Sequence, residues 1–279
     1  MNSAINKRYA QELVAERTIA EIAEAGSLWQ AIRREVEVHA EREPILATFF
    51  HATILNHDSL EAALSFQLAS KLDSPVVSSM LIREIIEEAI QSDPSILYAA
   101  EIDIKAAKNR DPACEGYSMP FLYYKGFQSL QAYRVAHWLW NQDRRPLAWF
   151  IQNQINAIFA VDIHPAARIG CGIMLDHATG LVVGETAVVE DDVSILQSVT
   201  LGGTGKESGD RHPKIRKGVL IGAGAEVIGN IEVGEGAKIG AGSVVLKDVP
   251  PHVTVAGVPA KIVGRPKAAQ PALDVDHSL

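Results

Sequence analysis

Apolar positions in the first part of the chain recur at helical spacing. Leu60, Leu64, Leu68 and Leu72 lie four apart, and Ile82, Ile85, Ile86, Ala89 and Ile90 form one stripe, the pattern of helices buried along one side. Ser27 followed by Gln30, and Asp58 followed by Glu61, have capping-box spacing and predict helix starts at Ser27 and Asp58. Pro94 suits a first helical turn, where its missing N–H does little harm. Pro146 divides "KGFQSLQAYRVAHWLWNQDRRPLAWFIQNQINAIF" into two helical segments. The expectation is an all-α domain over residues 1–160. His39, His51, His57 and His137 fall in helical surroundings and read as structural or surface residues.

Beyond residue 160 the period changes to six. Ile163, Ile169, Leu175, Leu181, Ala187, Val193 and Val199 are six apart, and Ile215, Ile221, Val227, Val233, Ile239 and Val245 resume the spacing. A six-residue period is neither helical nor a simple alternation. It is the hexapeptide signature of a parallel β-helix, each hexad giving a short strand and a corner. Gly often follows the aliphatic anchor, as in Ile169-Gly170 and Ile239-Gly240, where a small residue permits a tight corner. The predicted fold class is α+β: a helical domain (1–160), a parallel β-helix (161–265) and a tail (266–279). The tail has two prolines, no six-residue anchors and no helical stripe, and predicts poor order.

Residues 200–214, "TLGGTGKESGDRHPK", break the period and slip it by four. An extruded loop is predicted there, a favourable place for function, with Arg211 and His212 at its tip. Gly202-Gly203-Thr204-Gly205-Lys206 lacks Walker spacing and a strand-loop-helix context, so it is not read as a phosphate loop. The pair Asp176-His177 interrupts the scaffold just after the anchor Leu175. An eighteen-residue coil would stack Asp162 near position 180, close to His177. The spacing permits an Asp–His contact that would leave one imidazole nitrogen free as a base. It fits a pair of surface residues equally well.

Composition sharpens the division. All four Trp, seven Phe and six Tyr lie at or before Phe159, while 18 of 21 Gly follow it. A core of stacked strands about 4.8 Å apart leaves no room for rings. A net charge of −8 argues against a general nucleic-acid binder. No apolar run approaches a membrane span, and the charged N-terminus lacks a signal segment. Two cysteines, Cys114 and Cys171, cannot build a disulfide framework or a zinc cage. The expectation is a reduced, cytoplasmic protein with no membrane or nucleic-acid partner.

The segment "DIHPAARIGCGIMLDHATGLVVGETAVVEDDVSILQSVTLGGTGKESGDRHPKIRKGVLIGAGAEVIGN", with "NRDPACEGYSMPFLYYKGFQSLQAYRVAHWLWNQ" before it, resembles the bacterial serine O-acetyltransferases. The resemblance spans roughly residues 28–265. It implies a left-handed β-helix and acetyl transfer from acetyl-CoA to L-serine in cysteine biosynthesis, with feedback inhibition by L-cysteine and no metal. It further implies His177 as general base, oriented by Asp162. Asp111, Asp176, Arg211 and His212 would bind the amino acid, and Gly203, Thr204, Ala223 and Ala241 would line the CoA site. A dimer of trimers joined through the helical domains is implied as well. Relatives that dock into O-acetylserine sulfhydrylase often end in isoleucine. This chain ends in Leu279, so weak docking or none is expected. Two other readings are a metal lyase of the γ-type carbonic anhydrase kind, using His164, His177 and His212, and a scaffold without activity. The GDRHPKI loop and the large helical domain speak against the lyase.

Overall fold

The computed structural model describes residues 19–205 and 208–276, with side chains from residue 28 onward. The helical part comprises α1 (Ile19–Arg42), α2 (Ala47–Phe50), α3 (Leu60–Leu72), α4 (Ser79–Ser92), α5 (Ser95–Arg110), α6 (Ser118–Tyr123), α7 (Lys125–Asn141) and α8 (Arg145–Phe159). Leu60, Leu64, Leu68 and Leu72 are buried, as are Ile82, Ile86, Ala89 and Ile90, so the apolar stripes face one core. The two helix starts differ from the sequence expectation. Helix α1 runs through Ser27. The cap of α3 is Ser59, whose hydroxyl accepts from the Ala62 amide at 3.2 Å, not Asp58. A hydroxyl one residue later has the same local chemistry, and helix geometry selects the one whose backbone is extended.

Fifteen short strands follow, from β1 (Val161–Ile163) to β15 (Ala260–Gly264). They form three faces of a parallel β-solenoid. The first face carries β1, β4 (Leu181–Val183), β7 (Thr200–Gly202), β10 (Glu226–Ile228) and β13 (Val244–Val245). The second carries β2 (Arg168–Ile169), β5 (Val188–Val189), β8 (Lys214–Ile215) and β11 (Glu232–Val233). The third carries β3 (Met174–Leu175), β6 (Ser194–Ile195), β9 (Leu220–Ile221), β12 (Lys238–Ile239), β14 (Thr254–Gly257) and β15. Among the described residues only the terminal hairpin β14–β15 is antiparallel.

The strand register corrects the uniform period of six. Val161 stacks on Leu181 and Ile163 on Val183, so the first coil holds twenty residues, and Asp162 lies over Val182 rather than near 180. The anchors after Leu175 are therefore Val183, Val189, Ile195 and Leu201, not Leu181, Ala187, Val193 and Val199. Each hexad has two inward positions, two residues apart, and both sets are buried. A two-residue insertion after Leu175 exchanges one set for the other, and the spacing of six survives in the sequence. The next coils keep β7 in place. Val182 stacks on Thr200, whereas Val188 stacks on Lys214, twenty-six residues on. The extruded loop thus spans 203–213 and adds eight residues to an eighteen-residue coil, twice the slip read from the sequence.

The helical part is welded to the first coil by a buried ion pair. Arg134 Nη2 lies 2.7 Å from Asp103 Oδ2, with side-chain exposures of 9% and 1%. Arg134 also donates to the Gly170 carbonyl at 2.8 Å. Asp103 accepts from Gln131 at 2.9 Å and, across the domains, from the Ile173 amide at 2.8 Å.

Residues 266–276 depart from the expected disordered tail. They return along the third face and form α9 (Pro271–Asp274). Ala272 is fully buried, and its carbonyl accepts from Ser194 Oγ at 2.8 Å. Ser194, Leu220 and Lys238 are outward residues of that face, yet all are buried. Covering Leu220 provides a hydrophobic gain that no periodic pattern in the tail announces. Truncation after Gly264 is therefore expected to lower the melting temperature by several degrees, at about 2–4 °C per kcal/mol for a chain near this size. Unchanged melting in a thermal scan would show that α9 contributes nothing. Leu279 lies outside the described residues.

Neither cysteine forms a disulfide among the described residues, and both are buried. Among the described residues no helix is long and apolar enough to cross a membrane.

Candidate active site

The first face has two edges, and the expected site residues divide between them. At the edge between the third and first faces, the inserted residues make a tight turn. His177 and Ala178 have φ of 56° and 58°, a region costly for side chains with a β-carbon and typical of functional sites. The Ala178 amide bonds the Asp176 carbonyl at 2.6 Å, and the Gly180 amide bonds Ala160 at 2.7 Å. This strained turn pushes His177 outward. Its side chain is 74% exposed and its Nε2 lies 3.8 Å from Asp176 Oδ1. Asp162, on β1 beside this edge, accepts from Gln152 Nε2 at 2.7 Å, and not from His177.

Further corners stack along the same edge. The Gly224 amide bonds Gln197, and the Gly242 amide bonds the Ala223 carbonyl at 2.8 Å. Ala223 and Ala241 thus lie in a row that starts at His177. Asp111 stands in the helical part, at the C-terminus of α5. Its Oδ1 caps its own turn through the Ala113 amide at 2.8 Å, and its Oδ2 accepts from the Tyr124 hydroxyl at 2.8 Å.

The opposite edge, between the first and second faces, carries the extruded loop with Gly203, Thr204, Arg211 and His212. Thr186 organises its base. The Thr186 hydroxyl accepts from the amides of Arg211 (3.0 Å) and His212 (3.1 Å) and lies 2.8 Å from His212 Nδ1. The Thr186 amide also donates to that nitrogen at 3.2 Å. With two donors on Nδ1, the imidazole carries its proton on Nε2. Burial, reinforced by the Arg211 charge, pushes the His212 pKa down, so the ring is a neutral N–H donor at neutral pH. Nothing larger than Gly fits at 184, where a β-carbon would fall 2.1 Å from His212 Nε2. Arg211 Nη2 pairs with Glu185 at 2.8 Å, and that hydrogen bond holds the Glu185 carboxyl below its usual range. The edge offers a guanidinium and a neutral imidazole N–H, both donors suited to a carboxylate.

His164 shares this second edge. Its Nδ1 accepts from the Ala166 amide at 3.0 Å, and its ring meets Trp140 edge to face. The three imidazoles of the metal-lyase reading are therefore not gathered at one edge of the chain. His137 Nδ1 sits 2.7 Å from the Pro165 carbonyl, and His57 Nε2 sits 2.9 Å from the Ala52 carbonyl, both in structural roles.

Sequence reasoning passed over Tyr124, Lys125, Glu185 and Thr186. Glu185-Thr186 precede Arg211-His212 by twenty-six residues, the length of the loop-bearing coil. That relation is legible only once the eight extra residues are known.

Over residues 28–132 the chain matches the family model "Serine acetyltransferase, N-terminal", and over 212–247 the model for six bacterial transferase hexapeptide repeats. It is 64% identical over 250 residues to a serine acetyltransferase of Salmonella typhimurium, covering 90% of this chain and 92% of that one. A solved serine acetyltransferase in complex with cysteine is 62% identical, with a TM-score of 0.89, covering 91% and 98% of the two chains. A serine acetyltransferase from Brucella abortus, in complex with coenzyme A, is 54% identical with a TM-score of 0.85, covering 86% and 96%.

Proposed function

The chain belongs to the serine acetyltransferases, hexapeptide-repeat enzymes that use acetyl-CoA as co-substrate, and from that premise we propose how its residues divide the work. His177 is the general base. An alcohol is a poor nucleophile at neutral pH, and an exposed imidazole accepts its proton as the oxygen attacks. The serine oxygen bonds to the thioester carbonyl carbon, and the tetrahedral adduct collapses with cleavage of the C–S bond. The imidazolium then returns its proton to the departing CoA sulfur. Asp162 orients the base once ligand draws His177 inward. Asp111 and Asp176 face the substrate ammonium, and Arg211 and His212 hold its carboxylate. The pantetheine arm runs past Ala223 and Ala241, with Gly203 and Thr204 on the facing edge. L-Cysteine, offering the same ammonium and carboxylate, competes for that site.

The separation of the two edges carries the reading of how the site is completed. A three-residue strand such as β4 spans roughly 10 Å, whereas L-serine is under about 5 Å long. Arg211 is held toward its own edge by Glu185. The His177 edge of one subunit and the Arg211 edge of a neighbour therefore close one site between β-solenoids of a trimer. Val182, 38% exposed at the middle of the first face, fits such packing. A second association through the helical part would cover Val76 and Met80, 85% and 69% exposed, and give a dimer of trimers. A C-terminal Leu in place of Ile supports at most weak docking to O-acetylserine sulfhydrylase.

Thiol release from acetyl-CoA in the presence of L-serine tests the activity, and subunit mixing tests the site. Arg211→Ala should raise the serine KM roughly tenfold or more, with little change in the acetyl-CoA KM, and weaken cysteine inhibition in parallel. At L-serine well below the raised KM of Arg211→Ala, co-expressed Arg211→Ala and His177→Ala chains should turn over faster than either chain alone, because some mixed interfaces are intact. No recovery in isolated mixed oligomers would place both edges in one chain's site.

A further inference from the structure

Three consecutive residues at the start of α7 join the Asp111 arm to the His177 turn. The Tyr124 hydroxyl donates to Asp111 Oδ2 and also meets the Cys114 thiol. Lys125 Nζ bonds Thr179 Oγ1 inside the turn. Gly126 lies so close to β3 that a β-carbon there would fall 2.0 Å from the Leu175 carbonyl oxygen, one residue before Asp176. Lys125 and Gly126 thus fix the start of α7 against the base-bearing edge, and Tyr124 extends that fixed point to Asp111. The other Asp111 oxygen is occupied within its own turn, so the phenol supplies the link between this carboxylate and the solenoid edge.

We propose that Tyr124 is a positioning residue for the amino-acid substrate: it sets the Asp111 carboxylate at the separation from His177 that bound L-serine must span. The proposal rests on Asp111 contacting the ligand. A carboxylate held at both oxygens has little rotational freedom left to lose on binding, so the bond contributes to affinity through preorganisation. Both oxygens keep a lone pair for an ammonium. Burial and the Asp111 bond push the phenol pKa upward, so Tyr124 stays a donor over the working pH range. Because Tyr124 acts on the ground-state contact with the ammonium, its removal changes KM rather than the chemical step.

The test uses the full chain and steady-state kinetics with L-serine and acetyl-CoA. Tyr124→Phe should raise the serine KM and the cysteine inhibition constant together, by roughly tenfold for one hydrogen bond to a charged group. Turnover and the acetyl-CoA KM should stay within about twofold. Asp111→Asn should raise the serine KM as well, and adding Tyr124→Phe to it should have no further effect, because the phenol acts through the carboxylate. Additive effects in the double variant would overturn the proposal. So would an unchanged serine KM in Tyr124→Phe when Asp111→Asn raises it, or a loss of turnover that tracks a lowered melting temperature. An unchanged KM in Asp111→Asn would instead remove Asp111 from the ligand, and the proposal with it.

Discussion

His177→Ala is expected to reduce turnover at least about 100-fold, the low end of the range for a general base. The expectation follows from three observations on one turn. His177 sits where the coil is two residues longer than its successor, its φ is positive, and its ring is solvent-facing rather than packed. Among the described residues no hydrogen bond of the folded core depends on this ring, so the variant should fold and melt normally. The measurement is turnover at saturating L-serine and acetyl-CoA, with circular dichroism to verify folding. A variant within a few-fold of the parent would leave the base unassigned, because no other imidazole shares that edge among the described residues.

Asp103→Ala is expected to destabilise the fold by about 3–5 kcal/mol, the cost of leaving a buried charge without its partner. The substitution strands the Arg134 guanidinium and also removes the acceptors of Gln131 and the Ile173 amide. For a chain of this size the fall in melting temperature is on the order of 10 °C. Asp103→Asn should lose less, since the amide oxygen still accepts a hydrogen bond. The Ile173 amide lies on the approach to β3 and the His177 turn, so thermal inactivation of Asp103→Ala should follow its unfolding. A melting temperature within about 2 °C of the parent would mean that the Gly170 and Ile169 carbonyls suffice for Arg134.

Local chemistry made much of the fold legible in the sequence. The leucines from 60 to 72 pointed inward because a helix places every fourth residue on one side. The six-residue anchors beyond 160 announced a solenoid because each strand must bury an aliphatic residue and then turn. The absence of rings there follows from the narrow core. The DHATG and GDRHPKI motifs singled out His177, Arg211 and His212 because polar side chains interrupting a repetitive apolar pattern need a reason. Tertiary structure decided what repetition conceals. Two inward positions per hexad make a two-residue insertion invisible to spacing, so only strand pairing shows that the His177 turn is an insertion and that Asp162 lies over Val182. A tail without periodicity gains order by covering a face whose exposure the sequence does not reveal. The partners of Asp103 with Arg134, Thr186 with His212, and Tyr124 with Asp111 are distant in the chain or hidden among ordinary polar residues. A hydrogen bond depends on where two side chains meet in space, and that is set by the packing of helices on the solenoid.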